Sequence, residues 1–275
     1  MPDAQLSTAE LLVSGAIAGG LAKSLIAPGD RVKINFQTDS SRVYSFRAAL
    51  QLGRDIVRSG GVRALWRGHL MTLTRVMPYS AVNFTVFSRT KDFLVANFGS
   101  QIDANCLKFA AGAFSGCTAT ALTYPLETIR ARVAVDRGNV HKSYFRVVSG
   151  LVKSEALYAG LRPTLIGIVP YAGLSFATYE ALKKEGVGRF PAGALAGIMA
   201  QSATYPLDVV RRRMQVSPNE YLSLTEAVSR IVREEGVRRG LYKGLSMNWF
   251  KGPLAVGVSL SVNDCIKEVI LKHKT

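Results

Sequence analysis

A proline followed two residues later by an acid, and five residues later by a base, occurs three times in this chain. The copies begin at Pro28 in "APGDRVKINFQ", at Pro125 in "TYPLETIRARVAV" and at Pro206 in "TYPLDVVRRRMQV". One copy alone would indicate a helix end, because proline normally breaks or kinks a helix and the charges behind it would return to water. Three copies indicate an internal repeat, which decides the architecture of a chain before its single residues do.

The sequence around each copy recurs as well. A run of small residues with two glycines four residues apart precedes it, and this spacing lets helix backbones approach closely in a membrane. A tyrosine that opens an amphipathic segment, an aromatic-x-Gly triplet and a second apolar stretch with a proline follow it. The recurring residues are Gly15/Gly19, Gly112/Gly116 and Gly193/Gly197, then Tyr44, Tyr144 and Tyr221, then Gly68, Gly160 and Gly244, then Pro78, Pro170 and Pro253.

Each unit is therefore predicted to contain a long helix, a short surface helix and a second long helix. The fold class is all-α, with three repeats that form a single domain. Boundaries near residues 100 and 187 divide the chain into repeats over residues 1–100, 101–186 and 187–275.

The apolar stretches are long enough to cross a membrane. Residues 109–126 and 190–207 each contain 18 positions without a charge, the length at which a membrane-spanning helix is the default interpretation. Six candidate spans result, so both termini are expected on one side. Lys and Arg crowd the three long connections, which should therefore face the matrix if the membrane is an organelle inner membrane. The candidate spans cover residues 10–37, 69–95, 105–134, 161–185, 190–216 and 246–271.

Several classes of protein are disfavoured by what the sequence lacks. The first residues, "MPDAQLSTAE", resemble neither a secretory signal nor a cleavable transit peptide, so targeting is expected to be internal. The sequence has no CxxC pair, phosphate-binding glycine loop, GxSxG elbow or HExxH motif. We therefore expect no enzyme activity, no metal and no cofactor. The cysteines are expected to be buried small hydrophobes, and the histidines lie far apart in sequence. These residues are Cys106, Cys117 and Cys265, and His69, His141 and His273.

The formal net charge of +16 raises the possibility of a nucleic-acid partner. The bases are mixed into apolar spans and short amphipathic helices, without a recognition helix or a pattern of stacking aromatic residues. Anionic lipid and an anionic solute explain the charge better. We expect no nucleic-acid partner, and a basic nucleic-acid-binding or scaffold protein is the alternative from a different functional class.

Three repeats with the motif Pro-x-[Asp/Glu]-x-x-[Lys/Arg] resemble the mitochondrial carrier family, and the resemblance covers nearly the whole chain. It implies six tilted transmembrane helices with pseudo-threefold symmetry around one central path, and short amphipathic helices at the matrix surface. It also implies a monomer in the mitochondrial inner membrane, with both termini toward the intermembrane space. The implied activity is transport by alternating access.

The motif charges are expected to pair between helices, because an ionisable group in a span is costly unless it finds a partner or a wet cavity. By resemblance, three pairs close the matrix end and two glutamines brace them, while the second repeat has Ala134 at the position of the glutamine. The pairs are Asp30 with Arg130, Glu127 with Arg211 and Asp208 with Lys33, and the braces are Gln37 and Gln215.

A second gate is implied at the cytoplasmic end, where the family carries [Phe/Tyr]-[Asp/Glu]-x-x-[Lys/Arg] on its even-numbered helices. This chain has "YEALK", "NDCIK" and "FSRTK" there, so Ser88 replaces one acid and at most two pairs can form. This gate should therefore be weaker than the matrix gate. Its residues are Lys91, Glu180, Lys183, Asp264 and Lys267.

Cargo identity should come from the residues that break the threefold symmetry. A residue seven positions before a motif acid shares its helix face and should line the cavity; of Lys23, Thr120 and Gln201 at these positions, one is charged. On the even-numbered helices, the positions seven and eight beyond the aromatic-x-Gly glycine hold two cations and one uncharged pair. The predicted substrate-binding residues are Lys23, Arg75, Val76, Gly167, Ile168, Lys251 and Gly252.

A glycine followed by an aliphatic residue, as in Gly167-Ile168, resembles the nucleotide-carrying branch of the family. The pair would leave an apolar slot for an adenine ring, while Lys23, Arg75 and Lys251 would supply charge for phosphates. Residues 165–183 and 244–260 are similar to the coenzyme A carrier branch.

The sequence therefore predicts an alternating-access antiporter of coenzyme A or related adenine nucleotides. The alternatives are another adenine-nucleotide carrier or an ATP-Mg/phosphate-like carrier, and a carrier resident in peroxisomes. Helix starts at the aromatic-x-Gly glycines and near Tyr44, Tyr144 and Tyr221 are expected to expose backbone amides. Such amides attract phosphate, which predicts cardiolipin as a lipid partner.

Overall fold

The helices follow one another in the order that the repeats predict. The computed structural model describes residues 8–99, 101–136, 140–154, 156–221 and 223–272, and within these ranges the regular structure is entirely helical. Six long helices coincide with the six candidate spans, and a short helix lies within each repeat. The helices are α1 (Thr8–Thr38), α2 (Phe46–Gly60), α3 (His69–Phe98), α4 (Ala104–Val135), α5 (Val140–Lys153), α6 (Leu161–Lys184), α7 (Arg189–Val216), α8 (Leu224–Glu235) and α9 (Leu245–Lys272).

The six long helices form a ring. Helix α3 packs mainly against α4, α6 against α7, and α9 against α1, while α4 with α6, α7 with α9 and α1 with α3 complete the ring through fewer contacts. The first helices of the three repeats, α1, α4 and α7, also contact one another across the centre. These three helices therefore approach one another at the centre of the bundle.

Each short helix covers a small hydrophobic core. One face of α2, α5 or α8 packs on the C-terminal half of the preceding long helix, as the amphipathic pattern predicts. The buried residues at these contacts include Val32, Phe36, Leu52 and Ile56 in the first repeat, Ile129, Val133 and Leu151 in the second, and Val210, Met214, Ala227 and Ile231 in the third.

The motif prolines do not end their helices. Pro28, Pro125 and Pro206 all lie inside helices, as do Pro78 and Pro170. The interpretation of a single copy as a helix end would have been wrong. Because each helix continues past its proline, the charges that follow stay within the bundle.

The outer surface of the ring is apolar. Large side chains such as Leu25, Met77, Phe84 and Leu122 are exposed there, which is typical of a surface that contacts something other than water. By length and mean hydropathy alone, one stretch of the described residues, Ala156–Lys184, qualifies as a membrane span. Charged side chains in the other long helices lower their hydropathy, and several of these charges line the interior of the ring.

The aromatic-x-Gly triplet is explained by close packing between repeats. Gly68 and Gly160 have φ values of 84° and 81°, in the left-handed region that favours glycine. A Cβ atom at Gly68 would lie 2.9 Å from the carbonyl oxygen of Arg130, and one at Gly160 would lie 2.8 Å from that of Arg211. Each glycine therefore lets the start of a second long helix contact the motif helix of the next repeat.

The paired glycines before each motif pack less than their spacing predicts. Gly112 and Gly116 approach Phe87 and Ile168, but a Cβ at the corresponding glycines of α1 and α7 would meet nothing within 4 Å. The expectation of close helix contact is therefore wrong for the first and third repeats. The reason is that Gly19, Gly193 and Gly197 line cavities and do not face a packed helix.

The cysteines also differ from expectation. Cys106 and Cys265 are exposed and Cys117 is partly buried. They lie on faces of α4 and α9 that other described helices leave at least partly uncovered, so they are not core residues.

A symmetric set of hydrogen bonds ties each repeat to the next. The side chain seven residues after each motif proline donates to a carbonyl oxygen near the C-terminal end of another motif helix. Asn35 donates to the carbonyl of Ala134 at 3.2 Å, Arg132 to that of Gln215 at 2.8 Å, and Arg213 to that of Gln37 at 2.9 Å. These bonds satisfy carbonyl groups at helix ends that lack a partner within the helix.

The third repeat adds a buried ion cluster to this arrangement. The Glu235 carboxylate contacts Arg213 and, at 3.1 Å, the ammonium of Lys243, and the exposed fractions of the three side chains are 9%, 1% and 2%. Lys243 also donates to the carbonyl oxygen of Asp39 at 2.6 Å. Burial acts to raise the pKa of Glu235, but the hydrogen bonds and charges of Arg213 and Lys243 outweigh it, so the pKa lies below its ordinary value.

We predict that Glu235→Gln lowers the thermal transition of the purified protein markedly at neutral pH. Removing one partner of a buried pair leaves uncompensated charges, which costs about 3–5 kcal/mol. Glu234→Gln is the matched control, because Glu234 pairs with Arg230 at an exposed site, and it should change the transition little.

The same comparison has a pH dependence. A carboxyl with a lowered pKa in the folded state stabilises above its ordinary value of 4.5 and loses this effect as the pH falls through the folded-state pKa. The advantage of the wild type over Glu235→Gln should therefore shrink in acid. An equal effect of the two substitutions at neutral pH would contradict the assignment.

Candidate functional site

Two adjoining cavities occupy the centre of the ring. The first, of about 670 Å³, is lined by residues of α1, α3, α4 and α9. The second, of about 510 Å³, is lined by residues of α3, α4, α6 and α7. They share Arg75, Tyr79 and Glu127. Their sizes are typical of sites for small organic molecules.

The motif charges form the floor of these cavities. Arg130 contacts Asp30 at 2.8 Å, and Lys33 lies 3.6 Å from Asp208. The structure thus brings together these four residues in the combinations that the sequence predicts. Arg211 and Glu127, the remaining two motif residues, are also in contact.

Two predicted cargo-binding cations also contact this floor. Arg75 of α3 lies 3.2 Å from Glu127, and Lys251 of α9 lies 2.7 Å from Asp30. Arg75 is further held by a hydrogen bond of 3.0 Å to the Thr123 hydroxyl. Sequence reasoning placed both cations in the cavity but missed their contacts with the motif carboxylates, because helix periodicity gives a face and not the reach of a side chain.

Among the described carboxylates, Glu127 has the most ion-pair partners. It is 3% exposed and contacts three guanidinium groups, those of Arg75, Arg211 and Arg212. Arg212 lies 3.3 Å away and was not predicted. Its signal in the sequence is the run of three arginines at residues 211–213, of which the motif requires one, Arg211.

Lys23 differs from the other two cavity cations. It lines the first cavity and makes no ion pair with any other described residue. Its ammonium is therefore available to an anion that enters the cavity.

Ser24 and His69 lie near Lys23, and the sequence analysis did not predict them as site residues. Ser24 donates its hydroxyl hydrogen to the carbonyl of Gly20 at 2.9 Å and lies 2.8 Å from Nε2 of His69. The Ser24 hydroxyl has one hydrogen, so Nε2 of His69 donates to Ser24 whenever that hydrogen is used by the Gly20 carbonyl. His69 directly follows Gly68, where the other repeats have leucine, and this break in symmetry was the signal.

The predicted uncharged pair lines the second cavity. A Cβ at Gly167 would lie 3.6 Å from the Leu207 side chain, and the Ile168 side chain would lie 3.8 Å from a Cβ at Gly116. Gly167, Ile168, Leu207 and Gly116 thus form an apolar wall of the cavity that Arg75 also lines. Among the remaining predicted residues, Val76 lines the first cavity, whereas Gly252 lines a separate recess between α6, α7 and α9.

The predicted glutamine braces contact tyrosines on neighbouring motif helices. Gln37 donates to the Tyr205 hydroxyl at 3.0 Å, and Gln215 donates to the Tyr124 hydroxyl at 2.9 Å. Both tyrosines directly precede a motif proline, a signal that sequence reasoning did not use.

The interface between α1 and α4 has neither the glutamine nor the tyrosine of this pair. Ala134 stands at the glutamine position and Ala27 at the tyrosine position. They line a small void between α1 and α4. Arg31 reaches across this interface and donates to the Ala134 carbonyl at 3.0 Å.

The predicted cytoplasmic-gate residues are not brought together. Lys91, Glu180, Lys183 and Asp264 make no ion pair with each other or with any other described residue. The Lys267 side chain lies outside the described residues. Ion pairs therefore close the motif end, and none among the described side chains closes the opposite end.

We predict that exchanging the charges of Lys33 and Asp208 retains more transport than either single reversal. Asp208 has one ion-pair partner among the described residues, so this is the cleanest of the three pairs. Lys33→Asp or Asp208→Lys alone places like charges face to face, whereas the double variant restores attraction. Initial uptake rates in proteoliposomes provide the test, and additive losses in the double variant would rule out the pairing.

Comparison with known proteins identifies all three repeats. The sequence model of the family "Mitochondrial carrier protein" matches residues 4–98, 104–189 and 184–274. "Mitochondrial coenzyme A transporter SLC25A42" of Xenopus tropicalis is 45% identical over 280 residues, which cover 95% of this chain and 85% of that protein. The Homo sapiens protein of the same name is 44% identical over 281 residues, 95% of this chain and 88% of that protein. "Mitochondrial carrier protein CoAc2" of Zea mays is 33% identical over 298 residues, 97% of this chain and 88% of that protein.

These matches agree with the architecture. Each matched segment contains one copy of the proline motif and one pair of long helices with a short helix between them. The prediction of an all-α protein built from three repeats is confirmed. The chain belongs to the mitochondrial carrier family.

Proposed function

We propose that this chain is a multi-pass carrier of the mitochondrial inner membrane that exchanges coenzyme A or a related adenine nucleotide by alternating access. The observation that supports it most is the pair of cavity cations, Arg75 and Lys251, held by motif carboxylates beside an uncharged wall at Gly167-Ile168. The names of the vertebrate relatives point to the same cargo.

The cavity offers separate surfaces for the phosphates and the base of such a cargo. Lys23, Arg75 and Lys251 line the first cavity and would bind phosphate oxygens through charge-assisted hydrogen bonds. The apolar wall at Gly167 and Ile168 would accept the adenine ring. Transport of this kind breaks no covalent bond, so none of these residues needs a catalytic role.

Competition for the cavity cations would couple cargo binding to movement. A phosphate that contacts Arg75 and Lys251 weakens their attraction to Glu127 and Asp30. The motif end would then be held by fewer contacts and could open, provided that the cargo binds the transition state between the two conformations better than the closed state. Lys91, Glu180, Lys183, Asp264 and Lys267 would close the opposite end in turn, with Ser88 leaving that gate one acid short.

The orientation and assembly of the carrier follow from the same proposal. Six spans place both termini on one side, which we assign to the intermembrane space, and the basic short helices then face the matrix. The three repeats, over residues 1–100, 101–186 and 187–275, enclose a single path, so a monomer is sufficient for transport.

The first test is exchange in proteoliposomes. Purified protein in liposomes loaded with coenzyme A should take up labelled external coenzyme A, and liposomes without protein should not. Parallel assays with labelled ADP and labelled phosphate separate coenzyme A transport from general adenine-nucleotide or ATP-Mg/phosphate-like transport. The proposal is wrong if no phosphorylated adenine compound exchanges.

We predict that Lys23→Ala weakens coenzyme A binding roughly ten- to more than a hundredfold, because a charge-assisted contact contributes about 1.5–3 kcal/mol. Arg75→Ala should weaken binding as well, with an added effect on gating through Glu127. Gly167→Arg should abolish uptake without unfolding the protein, since the residue faces a cavity. Lys108→Ala is the control, because Lys108 is exposed and lines neither cavity. Near-normal uptake by all three cavity variants would contradict this binding site.

Cardiolipin is the proposed lipid partner. Some helix-start amides are already used, since the Gly68 amide donates to the Tyr144 hydroxyl at 3.1 Å, and Ser45 and Ser223 cap α2 and α8. The amides of Gly160 and Gly244 donate to no other described residue and can bind a lipid phosphate. We predict that cardiolipin raises the thermal transition of the detergent-purified protein more than phosphatidylglycerol does. An unmoved transition would exclude the proposed lipid sites.

A further inference from the structure

A third cavity, the apolar recess, adjoins the proposed cargo site. It lies between α6, α7 and α9, has a volume of about 320 Å³, and is lined mainly by Tyr171, Phe190, Gly193, Gly197, Trp249 and Gly252. Tyr171 and Gln201 line both this recess and the second cavity. Lys251, which lines the first cavity, directly precedes Gly252. The recess therefore adjoins the cavity that contains the proposed adenine wall, and it lies one residue along α9 from a proposed phosphate-binding cation.

The recess is open and largely uncharged. A Cβ at Gly193, Gly197 or Gly252 would meet nothing within 4 Å, so these glycines leave space instead of packing against a helix. The Trp249 ring is fixed by a hydrogen bond of 3.0 Å from its Nε1 to the Ser202 hydroxyl. Among the described lining residues, Arg189 is the one charged group.

Two amide side chains in the recess have no hydrogen-bond partner among the described residues. Asn248 is 7% exposed, and neither Asn248 nor Gln201 forms a hydrogen bond with another described residue. Neither side chain is among the described ones whose polar atoms are fully buried without a hydrogen-bond partner, so both amides are accessible to a ligand that enters the recess. Asn248 and Gln201 are therefore suited to an uncharged ligand that carries amide groups.

We propose that the apolar recess holds the pantetheine arm of coenzyme A. This arm is long, uncharged, mostly aliphatic and contains two amide groups, and it is the part of coenzyme A that the proposed phosphate and adenine surfaces of the two central cavities do not bind. The inference rests on the proposed function and adds that the recess selects coenzyme A over nucleotides without the arm. Asn248 and Gln201 would bond the two amides, and the aromatic side chains would cover the aliphatic part.

Binding measurements on the full-length purified protein can separate the arm from the rest of the cargo. Adenosine 3′-phosphate 5′-diphosphate is the matched ligand, because it retains the adenine and all three phosphates of coenzyme A and lacks only the arm. Wild-type protein should bind coenzyme A more tightly than this compound. Gly197→Leu, which fills the recess, should weaken coenzyme A binding about tenfold or more by denying the arm its apolar contacts, and should leave the other ligand unchanged.

Two further variants keep the test decisive if Gly197→Leu perturbs the fold. Asn248→Leu should produce the same selective loss, because it removes an amide partner while keeping the size of the side chain. Gly20→Leu is the control, since Gly20 also has open space for a side chain but lines none of the three cavities, and it should change neither affinity.

The possible outcomes are distinct. Unchanged coenzyme A affinity in both recess variants would overturn the inference and favour another occupant, such as a lipid acyl chain. An equal loss of affinity for both ligands would also overturn it, because the recess would then not distinguish a ligand with the arm from one without it. If the wild type binds neither ligand, the proposed function itself fails.

Discussion

Three ionised carboxylates inside a ring of apolar helices must be neutralised, and much of this structure is organised by that requirement. A buried charge without a partner costs several kcal/mol, so the acids on α1, α4 and α7 draw cations from neighbouring helices. Glu127, enclosed by three guanidinium groups, shows how far this goes. Because every motif acid is paired with a base on another motif helix, neutralisation pulls the three helices together at one end of the ring. The described acids and bases at the other end lie apart, and the cavity remains.

The three motif carboxylates do not contact the same number of cations, and this difference relates the matrix gate to the cargo site. Arg75 and Lys251 occupy equivalent positions in the first and third repeats and reinforce Glu127 and Asp30. The equivalent position in the second repeat is Gly167, so Asp208 is left with Lys33 alone. The same glycine opens the apolar wall of the second cavity. The glycine at position 167 thus has two consequences. It leaves an uncharged surface for an adenine ring, and it leaves the ion pair of Lys33 and Asp208 without an additional cation.

Sequence reasoning succeeded where a periodic pattern carried the information. The long helices and the helix faces follow from spacing, because 3.6 residues per turn fixes which side chains share a face, whereas the motif pairs were implied by the family resemblance. It failed where the reach of a side chain or the position of a cavity decides. Arg75 and Lys251 extend to the floor, Tyr124 and Tyr205 meet the glutamines, and the glycines of α1 and α7 face open space. The apolar recess is lined by residues of α6, α7 and α9. These residues are far apart in the sequence, so no local pattern predicts the recess.

The central claim is that cargo phosphates compete with motif carboxylates for cavity cations and so open the motif end. A single cysteine at position 26 tests this directly, because Ile26 is buried and lines the first cavity near Asp30. With Cys106, Cys117 and Cys265 replaced by serine, a membrane-impermeant thiol reagent would be confined to the motif side of proteoliposomes. The account predicts slow labelling without cargo and faster labelling when coenzyme A is added on the opposite side. A labelling rate that coenzyme A leaves unchanged, in protein that binds it, would contradict the account.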